Sequence, residues 1–524
     1  MRGAVPMHKR LQLPALAAFA LLSGCASLPA TVERAPSTML SMTQDTPLGG
    51  AIAAHLKGHP GLTGIQALSQ GRDAFAVRVL LARAAQRSLD LQYYIWHGDS
   101  TGQLLAQAAW EAAERGVRVR MLLDDANTSG LDGTLSALDA HPSIEVRVFN
   151  PFPSRRFRLA DFVADFERLN RRMHNKSLTA DNQATIVGGR NVGNEYYGAD
   201  LQVGFADLDV LAIGPVVEEV SRQFDQYWND ASAYPIASLV RQTALPDARK
   251  LLQQQWEQVN QQPETQDYLR AVRETSAVRD LLAGKLAFDW SRAHVVHDDP
   301  SKITAPSDRT DVLLLPRMAK AMGRPTRELD LVSPYFVPGK EGTKGLAELA
   351  RNGIAVRVLT NSLSATDVGP VHAGYAKYRE DLLRAGVRVY ELKRSSEAPA
   401  RKDREPNSGP GSSGDVSLHA KTFAVDRARI FVGSFNLDPR SANLNTEMGV
   451  VIESPVLAAR MSDELTRALP DEAFELRLSA DGRSIEWLER TAAGDKIHTS
   501  EPEVGLLRRM WVEFLSWLPI EWML

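Results

Sequence analysis

The chain has 524 residues, 44% of them hydrophobic and 24% charged, with a formal net charge of −3. That length exceeds what one core organises, and the composition excludes a disordered chain, a collagen and a multi-span membrane protein. The lack of net positive charge argues against an electrostatic nucleic-acid binder, and the single cysteine, Cys25, excludes an intramolecular disulfide and a cysteine-rich zinc site.

The N-terminus opens on a basic segment ending in Lys9-Arg10, followed by an apolar run from Leu11 to Leu22. About a dozen apolar residues fall short of the roughly 20 that span a bilayer and fit a secretory signal instead. Leu22-Ser23-Gly24-Cys25 resembles a bacterial lipobox, which implies lipidation of Cys25 after removal of residues 1–24. Ala26, rather than an aspartate, implies sorting to the outer membrane with the domains on the periplasmic side. Residues 25–46 are polar, rich in Pro, Ser and Thr, and read as a tether.

A first α/β domain is predicted over 47–240. Leu89-Asp90-Leu91 opens a strand ending at Trp96, a helical pattern follows, and further strands run from Gly116 to Leu123 and from Ile144 to Phe149. A polar, Gln-rich helical segment over 241–284 separates it from a second domain over 285–490. There the order returns: Leu329-Asp330-Leu331 opens a strand ending at Val337, then Gly353 to Leu359, then Gly386 to Tyr390. The strand-helix-strand-helix-strand pattern therefore repeats at an offset of about 240 residues. The stretch 394–415, full of Ser, Pro and Gly, predicts a surface loop.

A second repeat carries chemistry. The first copy reads His174, Lys176, Asp181, Gly188 and Asn191; the second reads His419, Lys421, Asp426, Gly433 and Asn436. The spacing is identical in the two copies. Residues two apart on a strand share a face, so each imidazole is expected to project with its lysine. Each strand turns at Asp181 or Asp426 and returns to bring Asn191 or Asn436 beside the pair. The two aspartates are counted in the site constellation, with bracing of the hairpin as their expected role. Lysine and asparagine hold phosphate oxygens, and Ser434 adds a hydroxyl. One histidine attacks phosphorus while another moves the proton of the alcohol. One motif supplies one histidine, so two halves facing each other across a pseudo-two-fold are expected to share one site. Carboxylates that fix the histidine tautomers are expected at Glu447 and, by aligning the following strands, Asp207; Asp209 reads as structural. His372 and His97 have blander readings, and no cluster has metal-ligand spacing.

These residues resemble the HKD signature of the phospholipase D superfamily. Leu91 to Trp96, Asn170 to Lys176, Tyr335 to Pro338, Val371 to Tyr375 and the ending Leu518 to Trp522 are similar to bacterial cardiolipin synthases of the C type. The resemblance implies an α/β fold of two phospholipase D-like α/β/α sandwich domains sharing one active site. It implies phosphatidyl transfer through a phosphatidyl-histidine, without metal or cofactor. Phosphatidylethanolamine, or a second phosphatidylglycerol, would donate to phosphatidylglycerol and give cardiolipin, with His174 as nucleophile and His419 as acid and base. The first motif departs from the pattern, with Gly189 where many relatives have serine. A phospholipase D that uses water, a phosphodiesterase nuclease and a binding module with a dead site are the alternatives. The expected partners are phospholipids and a membrane surface, not nucleic acid.

The C-terminal tail, 491–524, ends in a largely apolar stretch from Leu506 to Leu524 that carries Trp511, Trp517 and Trp522. It reads either as an amphipathic segment in the membrane interface or as a helix packed on the body.

Overall fold

The computed structural model describes residues 27–29, 31–200, 203–282, 285–306, 309–394 and 415–524. The signal segment 1–24, Cys25 and all but the ends of the loop 394–415 lie outside the described residues.

Among the described residues the first half contains nine strands: β1 (Thr63–Leu68), β2 (Ser88–Ile95), β3 (Arg118–Asn127), β4 (Ile144–Phe149), β5 (Ser177–Ala180), β6 (Ala184–Gly188), β7 (Val203–Ala206), β8 (Asp209–Ile213) and β9 (Ala233–Pro235). The second half begins with β10 (Asp289–His297), β11 (Glu328–Val332), β12 (Ala355–Asn361) and β13 (Arg388–Leu392). It continues with β14 (Asp415–Leu418), β15 (Thr422–Val425), β16 (Arg429–Gly433) and β17 (Met448–Glu453). A C-terminal addition supplies β18 (Ala473–Leu478), β19 (Ile485–Thr491) and β20 (Gly494–His498).

The pairings make the repeat explicit. In the first half β4, β3 and β2 run parallel, and β5, β6, β8 and β1 follow antiparallel. In the second, β13, β12 and β11 run parallel, and β15, β16, β17 and β10 follow antiparallel. The two sheets join where β1 meets β10, Gly64 opposite Trp290, into one sheet of 18 strands. The parallel strands alternate with helices such as Ser100–Glu114 and Gly339–Arg351, as βαβ crossovers require. A shared apolar cluster seals the junction, with Val187, Val210 and Ile65 of one half against Val450, Ile452 and Val432 of the other. Burying a side chain of this size contributes about 1.5–3 kcal/mol.

The Leu-Asp-Leu repeat has a structural reason. Asp90 on β2 pairs with Arg120 on β3 at 2.7 Å, and Asp330 on β11 pairs with Arg357 on β12 at 2.8 Å. Each is an acid buried between leucines that needs a fixed cation. The helices Leu245–Asn260 and Pro263–Arg273 pack on the first half through Leu252, Trp256 and Tyr268.

Residues 31–46 form a strap bound to the first half, although their composition reads as a tether. Arg34 donates to the carbonyls of Ala231 and Ala233, Arg147 donates to Ala35, and Arg120 and Arg118 donate to Ser37 and Thr38. The strap starts near the C-terminal end of β4 and descends to the start of β2, where Arg87 pairs with Asp45.

Candidate active site

Each His-x-Lys was expected within a strand, but the strands begin only at Ser177 and Thr422. The preceding segment is extended and bonded to the opposite half. The His174 amide donates to Thr446 O and the Thr446 amide to Arg172 O. The His419 amide donates to Ala206 O, continuing the parallel pairing of β14 with β7. Both histidines therefore lie beyond the C-terminal ends of the parallel strands, stitched across the junction of the halves.

The side chains cross in the same way. His174 Nδ1 is 2.8 Å from Glu447 Oε2, and His419 Nδ1 is 2.5 Å from Asp207 Oδ2. Each histidine is thus oriented by a carboxylate from the other half. Lys176 Nζ donates to the carbonyl of His174, and Lys421 Nζ to that of His419, so each lysine does share a face with its histidine. Both histidines are 7% exposed and both lysines 1%. Burial lowers the affinity of His174 for a second proton, and the neighbouring Lys176, Lys421 and His419 lower it further. The two motifs therefore act within one electrostatic site.

The remaining candidates divide. Asp181 and Asp426 are not part of the reacting constellation. Asp181 accepts from the amides of Gln86, Arg87 and Ser88, and Asp426 from those of Thr326, Arg327 and Glu328. Both occupy hairpin turns at positive φ, 51° and 54°, and tie the turn to the start of the Leu-Asp-Leu strand. Asn191 is fully engaged: it accepts from the Ile95 amide and donates to the Tyr196 hydroxyl. Tyr196 and Phe205 pack on the His419 ring at 5.2 and 5.1 Å, and Tyr94 packs on His174 at 4.9 Å. Asn436 is buried with its Oδ1 unpartnered. Ser434 spends its hydroxyl on Glu447 Oε2 at 2.5 Å rather than offering it to a phosphate. Asp209 is structural, paired with Arg78 at 2.9 Å and Arg190 at 3.3 Å. His372 is tied to Arg379 and Glu501. His97, Asp99 and Glu195 converge although their spacing gives no such signal, but Asp99 caps the helix Ser100–Glu114 and Glu195 pairs with His97 at 3.2 Å.

The family description "Cardiolipin synthase, PLD-like domain" matches residues 80–228 and again 318–469. Cardiolipin synthase C of Escherichia coli (strain K12) is 44% identical over 481 residues, covering 91% of this chain and 99% of that one. The chain belongs to the PLD-like domain family. An uncharacterized protein of Helicobacter pylori is 34% identical over 511 residues, 95% of this chain and 97% of the other. The crystal structure of phosphatidylserine synthase from Haemophilus influenzae Rd KW20 superimposes with a TM-score of 0.53 at 13% identity, covering 89% of this chain and 96% of that one. The two matched segments are the two halves seen in the sheet, so the PLD-like fold is present twice.

The PLD-like halves are not electrostatic copies. Ser434 and Ser441 donate to Glu447, whose backbone is held by the buried Asp298. The counterpart of Ser434 beside Asp207 is Gly189, which has no hydroxyl to donate. A Cβ there would stand 2.2 Å from Asp207 Oδ1. The shorter aspartate occupies the space that serine fills in the other half. Gly189→Ser is therefore expected to displace Asp207 from His419 and lower kcat/KM at least about tenfold, since misplacement by an ångström costs up to about a hundredfold. Gly189→Ser with Asp207→Glu reproduces the Ser434–Glu447 arrangement and is expected to exceed the single variant; steady-state kinetics of the pair checks this.

Burial pushes the Glu447 carboxyl up to about 7, with Lys176 and Ser434 opposing. Burial also pushes Lys421 down to about 8, with Asp207 and Glu447 opposing. Below its pKa Glu447 gains a proton and no longer serves His174 as an anion; above its pKa Lys421 loses its charge. A bell-shaped kcat/KM profile is expected, falling as pH drops through about 7 and, on the alkaline side, as Lys421, at about 8, and Lys176 and His419, whose proton affinities burial also lowers, give up their protons. Lys421→Arg keeps its charge to far higher pH. A profile of that variant from about pH 5.5 to 9.5 is expected to keep the acid limb and to make the alkaline limb shallower, the remainder being set by Lys176 and His419.

Proposed function

We propose that the protein is a phosphatidyltransferase that makes cardiolipin from phosphatidylglycerol, with phosphatidylethanolamine or a second phosphatidylglycerol as donor. The observation that carries the reading is the crossed pair of histidine–carboxylate contacts, His174–Glu447 and His419–Asp207. Each carboxylate accepts Nδ1–H, which leaves His174 Nε2 free to attack, while His419 enters the first step as the imidazolium, with Asp207 opposing the burial that lowers its proton affinity. In the first step His174 Nε2 bonds to phosphorus as the bond to the leaving alcohol breaks, and His419 gives that alcohol its proton. In the second step His419 takes the proton of the acceptor hydroxyl, the new phosphorus–oxygen bond forms and the phosphorus–nitrogen bond breaks. Lys176, Lys421 and the Asn436 amide stabilise the phosphoryl oxygens as negative charge develops. The anionic phosphate restores the lysine charge that burial opposes.

Quenching in denaturant at mildly alkaline pH, where a phosphorus–nitrogen bond survives, with a short-chain phosphatidylethanolamine, followed by peptide mass spectrometry, tests the intermediate. A phosphatidyl adduct on His174 is expected. An adduct on His419 would reverse the two roles, and turnover with no adduct on either would overturn the covalent route.

No helix of the described residues is long and apolar enough to cross a membrane. We infer attachment through a lipid on Cys25, on the periplasmic side of the outer membrane, from the Leu22-Ser23-Gly24-Cys25 lipobox and Ala26.

A further inference from the structure

Fourteen large apolar side chains are exposed among the described residues, and ten of them lie on two segments. One is the C-terminal helix Leu506–Ser516 with the turns that follow it. Val512 and Leu515 anchor this helix on Leu363 and Ala373, as the packed-helix reading of the tail expects. Its outer face presents Leu507, Met510, Trp511 and Phe514, and the adjoining Trp517 is 76% exposed. The other segment is the helix Arg158–Ala164 and its approach, with Phe157, Leu159 and Val163 at 60, 78 and 73% exposure. It had no signal in the sequence, because arginines interrupt its apolar residues.

The two segments come from different halves but share a face. Arg158–Ala164 follows the C-terminal end of β4, and the C-terminal helix sits on the loop after β12, where Arg508 donates to Thr366 O. Those are the strand ends beyond which both histidines lie. The last residues bridge the segments: Trp522 meets Phe166 edge-on at 6.1 Å, and Arg440 binds both Leu524 O and Asn170 O. Arg34, at the upper end of the strap, is fixed beside the C-terminal end of β4, toward this same face.

We propose that these two segments form a bipartite docking surface that seats the mouth of the active site on a phospholipid bilayer. The occupant follows from three observations. Tryptophans beside Arg508 and Arg509, and Phe157 beside Arg156, give the apolar-plus-basic pattern of an anionic lipid interface. The surface borders the site rather than lying remote from it. The strap delivers the N-terminal segment to this face, so an anchor there and the two segments act on one plane. The proposal rests on the phosphatidyltransferase reading, because bilayer lipids are then the substrates.

The test uses the mature chain from residue 26 onward, so that neither the apolar run Leu11–Leu22 nor a covalent lipid holds it, and vesicles of phosphatidylethanolamine and phosphatidylglycerol. Leu507→Ser/Trp511→Ser/Trp517→Ser and Phe157→Ser/Leu159→Ser/Val163→Ser are each expected to cut the vesicle-bound fraction at least about tenfold in sedimentation. Both are expected to turn over detergent-dispersed lipid at the parental rate, which reports an intact fold and site. Parental vesicle binding by the combined variant would overturn the proposal. A parental dimer that these substitutions split would assign the surface to a second copy and also overturn it. Loss of vesicle binding in the variants, with no turnover of dispersed lipid even by the parent, would leave the docking surface standing and remove the functional reading.

Discussion

His174→Ala and His419→Ala are each expected to abolish phosphatidyl transfer, by at least about 10,000-fold, with the double variant no slower than either single one. The reason is geometric. Each half supplies one imidazole, and each imidazole is held by the other half's carboxylate, at 2.8 Å for His174 and 2.5 Å for His419. Removing one therefore removes either the nucleophile or the imidazole that gives the leaving alcohol its proton. A donor lipid whose leaving group is p-nitrophenol needs no such proton. With that donor His419→Ala is expected to release p-nitrophenol once per enzyme and stop at the covalent intermediate, while His174→Ala releases none. Stopped-flow absorbance checks both. Independent residual activity in each single variant would mean two separate sites.

Asp207→Asn is expected to be the more damaging of the two carboxylate substitutions. Burial pushes the Asp207 carboxyl up, but His419 and Lys421 more than offset that and hold it well below the usual carboxylate range. It therefore stays ionised through the working range, and an amide there removes both a fixed charge and the tautomer of His419. Neutralising the carboxylate partner of a catalytic histidine costs about 10,000-fold in kcat where the pair is essential. Glu447 is pushed up to about 7 and shares its oxygens with Ser434 and Ser441. Glu447→Gln keeps one acceptor oxygen for His174 and Ser434 and loses less charge, so a loss of about a hundredfold is expected. Pre-steady-state rates of donor cleavage and acceptor transfer separate the two. Equal losses would show that the halves are electrostatically equivalent.

Much of this was readable from the chain. The Leu-Asp-Leu and His-x-Lys repeats located both halves, because a duplicated fold keeps the same buried acid and the same turn. The carboxylates were also found, at Asp207 and Glu447, by aligning strands. Their crossing was not readable, since spacing along one chain does not say which half a side chain faces. Tyr94, Tyr196 and Phe205 were missed as partners of the histidines because aromatic residues at a strand end look like core. Ser434 reads as a phosphate ligand until its distance to Glu447 is known. Gly189 looks like a defect until the Asp207 carboxylate is seen in the space of the missing Cβ. The strap was misjudged because composition reports what a segment can bury, whereas residues 31–46 are held by arginines of the body that need carbonyl acceptors.

The central claim is that one site, built by two halves, passes a phosphatidyl group between two lipids. The most direct measurement is mass-spectrometric analysis of the lipids formed when purified protein meets phosphatidylethanolamine and phosphatidylglycerol together. Cardiolipin, with free ethanolamine and free glycerol together equal to it in amount, all lost in His174→Ala, is predicted. Phosphatidic acid without cardiolipin would show that water is the acceptor and would contradict the account.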